Sequence, residues 1–187
     1  MKKLVCLAML LCSAALQLAQ AADWKMDPAG SRLGFIATFE KTPAPGVFKI
    51  FDVRMGFDPE TPAGSRLDVT IRVASADMAN ADINKAIAGA DWFDFARHAQ
   101  AEFHATDIRR SEPPGRYIAR GTLALKGVQQ PVEVPFTWNA AGEGATMEGE
   151  FTVKRASFGI GTGEWAATDV IGPDVTAKFR VHLRKVP

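Results

Sequence analysis

From Ser31 onward apolar and polar residues alternate, and a period of two marks extended strands with one face buried and the other in water. Leu33, Phe35, Ala37 and Phe39 share one face, as do Phe51, Val53, Met55 and Phe57 in the next run. Leu67, Val69, Ile71 and Val73 follow, and the intervening Arg66, Asp68, Thr70 and Arg72 define the solvent side. The pattern returns at Phe103 and Ala105; at Tyr117, Ala119, Gly121, Leu123 and Leu125; and at Val132, Val134, Phe136 and Trp138. It ends with Met147, Gly149, Phe151 and Val153, then Val175, Ala177, Phe179, Val181 and Leu183, for eight strands in all. Turn chemistry separates them at Asp58-Pro59-Glu60-Thr61-Pro62, Glu112-Pro113-Pro114-Gly115, Lys126-Gly127, residues 139–144 and Gly172-Pro173-Asp174. Hairpin-length connections predict an all-β, up-and-down antiparallel sheet of eight strands closed into a barrel, which leaves no edge unpaired. One helical excursion interrupts it over residues 76–96, where Ile83 and Ile87 stand four apart behind a cap at Asp82 and Gly89 stops the turn. It carries Trp92, Phe93 and Phe95 back onto the barrel.

An eight-stranded barrel is either filled by its own side chains or keeps room for one small ligand. The inward positions mix Phe, Leu and Val with the small Ala37, Ala105, Ala119, Gly121, Gly149 and Ala177, which permits both outcomes. If the interior is open, the wall is expected to comprise Phe35, Phe39, Phe51, Met55, Val69, Ile71, Phe103, Leu123, Phe136, Phe151 and Phe179. Arg155 and Trp165 are the candidates for a polar head group at the mouth, Arg because it pairs bidentately with oxygen arrays. Arg155 reads equally as a surface strand residue.

The N-terminus narrows the setting. Lys2 and Lys3, an apolar run from Leu4 to Leu18 and Ala19-Gln20-Ala21 form an export leader over residues 1–21, leaving one domain over 22–187 and predicting a periplasmic protein. Removing a leader with two lysines and no acid takes the formal net charge from +1 to −1, which gives nucleic acid nothing to bind. Cys6 and Cys12 both lie in the leader, so disulfides, thiol catalysis and cysteine metal sites are excluded from the mature chain. His98, His104 and His182 form no metal-ligand spacing, and Ser157 lies in Ala-Ser-Phe-Gly rather than a nucleophile elbow. The run Gly159-Ile160-Gly161-Thr162-Gly163 lacks the Lys-Ser/Thr ending of a phosphate loop and is expected to be a bulge or bend, with Asp91 and Asp94 facing solvent. No enzyme, metal or cofactor is expected.

Several short pieces, in this order, resemble the YceI-like family: Trp24-Lys25-Met26-Asp27 with Ser31-x-Leu33-x-Phe35; Gly46-x-Phe48-x-x-Phe51; and Trp92-Phe93-Asp94 with Ala101-x-Phe103. Gly121-Thr122-Leu123-x-Leu125-x-Gly127 and Arg155-x-x-Phe158-Gly159-Ile160 complete the set. The resemblance implies a lipocalin-like barrel that binds a polyisoprenoid or other long-chain lipid, such as a quinone or polyprenyl lipid. Phe39 stands where many relatives carry His, and His98-Ala99 replaces a Tyr-Pro, so the first strand is more apolar here. The segments 44–48 and 163–169 resemble a subgroup found beside b-type membrane cytochromes. That allows a cytochrome partner, and a homodimer is compatible with the fold. Two rival expectations remain: a solid-cored accessory protein of a membrane redox complex, and an enzyme acting on a lipid.

Overall fold

A computed structural model describes residues 21–186. The leader expected over 1–21 falls outside them except for Ala21. The elements are β1 (Ala22–Phe39), β2 (Thr42–Phe48), β3 (Phe51–Phe57), β4 (Arg66–Arg72), β5 (Ala76–Asp77) and helix α1 (Ala81–Ile87). After the helix come β6 (Gln100–Ser111), β7 (Arg116–Leu125), β8 (Val128–Ala141), β9 (Gly144–Lys154) and β10 (Asp174–Lys185). Eight strands close an antiparallel barrel in the order β1-β3-β4-β6-β7-β8-β9-β10, with β10 returning to β1. Registry puts opposite charges side by side on the outside: Arg180 with Glu148, Lys178 with Glu150, Lys154 with Asp174 and Arg120 with Glu133. Each exposed pair contributes little, but together they favour one register.

Strand β1 serves two neighbours. Ala22–Lys25 pair with β3, whereas Leu33–Phe39 pair with β2. The register slips between Asp27 and Arg32, where Gly30 turns at φ 80° and the Asp27 carboxylate accepts from the Ala29 N–H (3.0 Å). Ser31 Oγ donates to the Asp27 carbonyl (2.5 Å) and accepts from the His182 N–H (3.0 Å), which ties the bulge to β10.

The first half of β1, all of β2 and the short β5 extend the strand set that the alternation predicts. Pro43, Pro45 and Gly46 hide β2 by their turn-like composition, yet each has a structural role. Pro43 and Pro45 share the parity of Lys49, whose N–H points outward to the Ser75 carbonyl (3.1 Å), so they remove donors from an edge that β5 covers only at Val47 and Phe48. A Cβ at Gly46 would lie 2.3 Å from Phe35 Cζ and 2.6 Å from Met78 Sδ, so only glycine lets those two side chains meet there. The two-residue turn Glu40-Lys41, with φ of 45° and 65°, joins β1 to β2, and Lys126-Gly127, at 51° and 74°, joins β7 to β8.

Three local expectations are corrected. The helix cap is Asn80, not Asp82: its Oδ1 accepts from the Asp82 and Ile83 N–H groups, both at 3.0 Å. Residues 139–144 are mostly strand, and the turn is confined to Gly142-Glu143. Asp94 is buried at 9% exposure, held in the turn after α1 by its N–H donating to the Gly89 carbonyl and its carbonyl accepting from the Arg97 and His98 N–H groups. Asp91 is exposed, as expected.

A clasp joins β2, β5 and α1. Hydrogen bonds from Lys49 Nζ (2.5 Å), Asn84 Nδ2 (2.8 Å) and the Ala79 N–H (2.9 Å) hold the Asp77 carboxyl down to about 2. A pKa depressed in the folded state stabilises fully above the ordinary value of 3.8, and the stabilisation disappears as pH falls through about 2. Asp77→Asn is therefore expected to lower Tm at neutral pH and to converge on the unsubstituted protein as pH falls toward about 2; thermal melts across that range test it.

Candidate apolar binding site

The barrel is open at one end and solid at the other. At the solid end, Phe57 is fully buried and meets Tyr117 (centroids 5.0 Å), Trp138 (4.8 Å) and Phe136 (6.0 Å). Trp24 packs edge-on to Trp138 at 5.0 Å and donates from Nε1 to the Phe57 carbonyl at 3.1 Å. Met26, Met55, Ile108, Ala119, Ala145 and Leu183 fill the gaps between the rings. Small residues here admit close backbones: a Cβ at Gly149 would lie 2.2 Å from the Pro135 carbonyl oxygen, and one at Gly121 2.2 Å from that of His104.

Toward the other end the same inward faces diverge and enclose a cavity of about 390 Å³, within the roughly 300–1,000 Å³ of small-ligand pockets. Each strand crosses from cavity to filled core along its length. Val53 lines the cavity and Met55 does not; Val134 does and Phe136 does not; Val181 does and Leu183 does not. The excursion roofs one side with Met78, Ile83, Ile87, Trp92 and Phe93, and the connection between β9 and β10 adds Phe158, Ile160, Trp165 and Ile171. The mouth is rimmed by Phe39 (45% exposed) and Ile83 (42%). Phe39 bridges to Ile171, and the Glu40 N–H donates to the Val170 carbonyl at 2.8 Å.

Of the residues expected to form the wall, Phe35, Phe39, Phe51, Val69, Ile71, Phe103, Leu123, Phe151 and Phe179 line this cavity together, with Trp165 near its mouth. Met55 and Phe136 face inward one pleat too deep, and form the first layer of the filled core instead. The solid-cored barrel is corrected by the cavity itself, since only half of the interior is packed.

Arg155 is the largest correction. It is 3% exposed, neither a surface strand residue nor free to meet a head group. Its Nε donates to the Gly172 carbonyl (3.0 Å) and Nη1 to those of Ile160 (3.1 Å) and Gly161 (2.7 Å). Nη2 donates to the carbonyls of Trp165 (2.8 Å), Ala167 (3.1 Å) and Ile171 (3.1 Å). A guanidinium has five N–H groups, so six carbonyls engage all of them. Burial lowers the Arg155 pKa, but guanidinium stays charged at any physiological pH, and its charge is met by carbonyl dipoles. Arg155 thus pins the segment that carries Ile160, Trp165 and Ile171 over the cavity. The glycine run is the expected bend between strands, in the connection from β9 to β10: Gly159, Gly161 and Gly163 sit at φ of 63°, 71° and 61°, and a Cβ at Gly161 would strike Arg155 Nη1 at 2.2 Å.

Thr38 also lines the cavity, whereas the histidines His98 and His104 lie apart from it. His104 pairs with Asp68 on the outer face, and His98 packs beside Gly127. Among the described residues no cluster of His, Cys, Asp or Glu could hold a metal ion, and no helix is long and apolar enough to cross a membrane.

A closed antiparallel barrel with one apolar chamber and a filled base defines a small ligand-enclosing β-barrel. Residues 24–183 match the YceI-like domain model, and the chain belongs to that family. It is 31% identical to a UPF0312 protein of Ectopseudomonas mendocina over 157 residues, covering 76% of this chain and 78% of that one. It is 30% identical to Protein YceI of Escherichia coli O157:H7 over 159 residues, covering 77% and 79%. Among solved structures, Burkholderia cenocepacia BcnA superimposes with a TM-score of 0.81 at 34% identity, covering 84% of this chain and 98% of that one. A polyisoprenoid binding domain from Saccharophagus degradans shares the fold, with a TM-score of 0.69 at 14% identity and coverage of 87% and 98%.

Proposed function

We propose that this protein is a periplasmic carrier that holds the isoprenoid tail of a quinone or polyprenyl lipid in the open half of its barrel and catalyses no reaction. The observation that carries this reading is the chamber, about 390 Å³ walled almost wholly by aliphatic and aromatic side chains, whose one charged residue, Arg155, is already fully bonded. The structural neighbour described as a polyisoprenoid binding domain supports the same ligand class. Burying hydrocarbon is worth up to about 0.8 kcal/mol per CH₂, hence roughly 4 kcal/mol at most per five-carbon unit relative to water. A bilayer offers nearly the same gain, so exchange between membrane and carrier is close to balanced and the protein loads and releases. With Arg155 engaged, Trp165 is the remaining candidate to touch a head group at the mouth.

Mass spectrometry of organic extracts from protein purified natively out of the periplasm is expected to find a co-purifying isoprenoid lipid in amounts comparable to the protein. Extracts without any long-chain lipid would count against carriage.

A further inference from the structure

We infer that the seam between β8 and β9 is the wall of the chamber that yields when a guest enters or leaves, so that parting of these two strands sets the rate of exchange and leaves the affinity alone. The inference rests on the carrier reading and adds how the carrier loads and releases. The two strands are paired only from Ala141↔Gly144 to Phe136↔Gly149; above that point residues 128–135 of β8 pair with β7 alone, and residues 150–154 of β9 with β10 alone. A cleft opens there between residues 130–133 and 151–154, capped by Ser157 and Phe158. Phe151, Val153 and Phe158 line this cleft and the chamber alike, so a single layer of side chains divides the two. At the barrel's other split, where β1 leaves β3 beyond Lys25, β1 takes β2 as its partner instead. Among the described residues no strand takes that place between β8 and β9.

The sequence keeps the seam open. The Trp138 N–H donates to the Gly115 carbonyl on the β7 side at 3.0 Å, so even-numbered residues of β8 aim their N–H groups at β7 and odd-numbered ones at β9. Continuing the observed register would set Pro135 opposite Glu150, Glu133 opposite Thr152 and Pro131 opposite Lys154, and proline has no N–H to give. Two of the three β8 donors that would close the ladder are therefore absent. The upper end is spanned by a side-chain bond, from Gln130 Nε2 to the Ser157 carbonyl at 3.3 Å. The roof is held far more firmly. The Glu40 N–H donates to the Val170 carbonyl and the Gly172 N–H to that of Thr38, both at 2.8 Å, and Arg155 adds its six carbonyl contacts. Widening the bore for a guest thus breaks fewest bonds along the seam, and segments with few backbone hydrogen bonds are the first to open. The guest still passes between Phe39 and Ile83, and the seam gives way as it does.

The test places a cross-link over the seam, in a barrel without cysteines of its own, since Cys6 and Cys12 both precede it. Glu133→Cys with Thr152→Cys, bridged by a short bis-maleimide, is expected to slow release of a fluorescent farnesyl probe into excess farnesol by at least about tenfold, while the probe's Kd moves by less than about threefold. Thr137→Cys with Glu148→Cys, bridged in the same way across the intact ladder, is expected to release at the unsubstituted rate. Pro131→Thr with Pro135→Thr returns the two missing donors, is expected to slow release as well, and serves if the seam cysteines prevent folding. Release from the seam-bridged protein at the rate of the ladder-bridged one overturns the role of the seam while leaving carriage intact. Failure of the probe to bind the unsubstituted protein overturns carriage and the seam's role with it.

Discussion

Replacing Arg155 with methionine is expected to destabilise the protein by about 3–5 kcal/mol and to lower Tm by roughly 10–15 °C. The side chain is 3% exposed and satisfies six carbonyl oxygens, those of Ile160, Gly161, Trp165, Ala167, Ile171 and Gly172. Methionine fills similar space and supplies no donor, and each buried acceptor left without one costs about 1–3 kcal/mol unless water reaches it. The carbonyls nearest the exposed stretch rehydrate, which holds the total below a simple sum. Lysine is expected to recover only part of the loss, because one ammonium offers three donors from a single point and cannot serve six spread acceptors. Denaturant titration gives the stability change, and tryptophan emission reports the Trp165 segment, whose ring lies 5.8 Å from that of Trp92. A methionine variant within about 1 kcal/mol of the unsubstituted protein would contradict the role assigned to Arg155.

The second large effect concerns binding rather than stability. Ala177 lies mid-wall on β10, directly opposite Phe35 and Phe151 in the ladders, and lines the chamber while only partly covered by neighbours. Ala177→Trp places an indole where the tail is proposed to lie. Displacing about four buried CH₂ groups weakens binding by about 3 kcal/mol, so affinity for farnesol is expected to fall at least about 100-fold. The new ring enters existing space, so the stability change stays within the roughly 1–3 kcal/mol of a moderate overpacking substitution. A variant that folds and binds farnesol as before would place the ligand elsewhere.

Period-two alternation identifies the inward face of the long strands, and side-chain parity follows it except in β6, where a register shift between Ala105 and Asp107 brings Ile108 to the buried face. Alternation carries no information about height along the barrel axis. Phe51 and Met55 have the same parity and the same apolar character, yet one lines the chamber and the other its floor. That boundary is set by the register among eight strands and by the ring cluster around Phe57, and both are long-range properties. The opening motif Trp24-Lys25-Met26-Asp27 already shows strand alternation, with Trp24 and Met26 buried in the base, so the first half of β1 was legible to a longer window. Strand β2 was less so, because its prolines and glycine resemble turn chemistry and serve as edge protection and close approach.

The roof of the site lies in segments without periodicity. Met78, Trp92, Ile160 and Ile171 reach the chamber from short turns and a connection, where only tertiary contacts decide which way a side chain points. The role of Arg155 is hidden for the same reason. Its partners are main-chain carbonyls, which leave no trace in side-chain identity except the glycine at 161 that makes room for it.

Crystals of the protein grown with farnesol test the central claim most directly. A tail held in the chamber gives a continuous tube of density that enters between Phe39 and Ile83, runs along Phe35, Phe103 and Phe179, and stops against Met55 and Phe136. A chamber closed by inward movement of its own aromatic rings, with the isoprenoid bound on the outer surface, would contradict it.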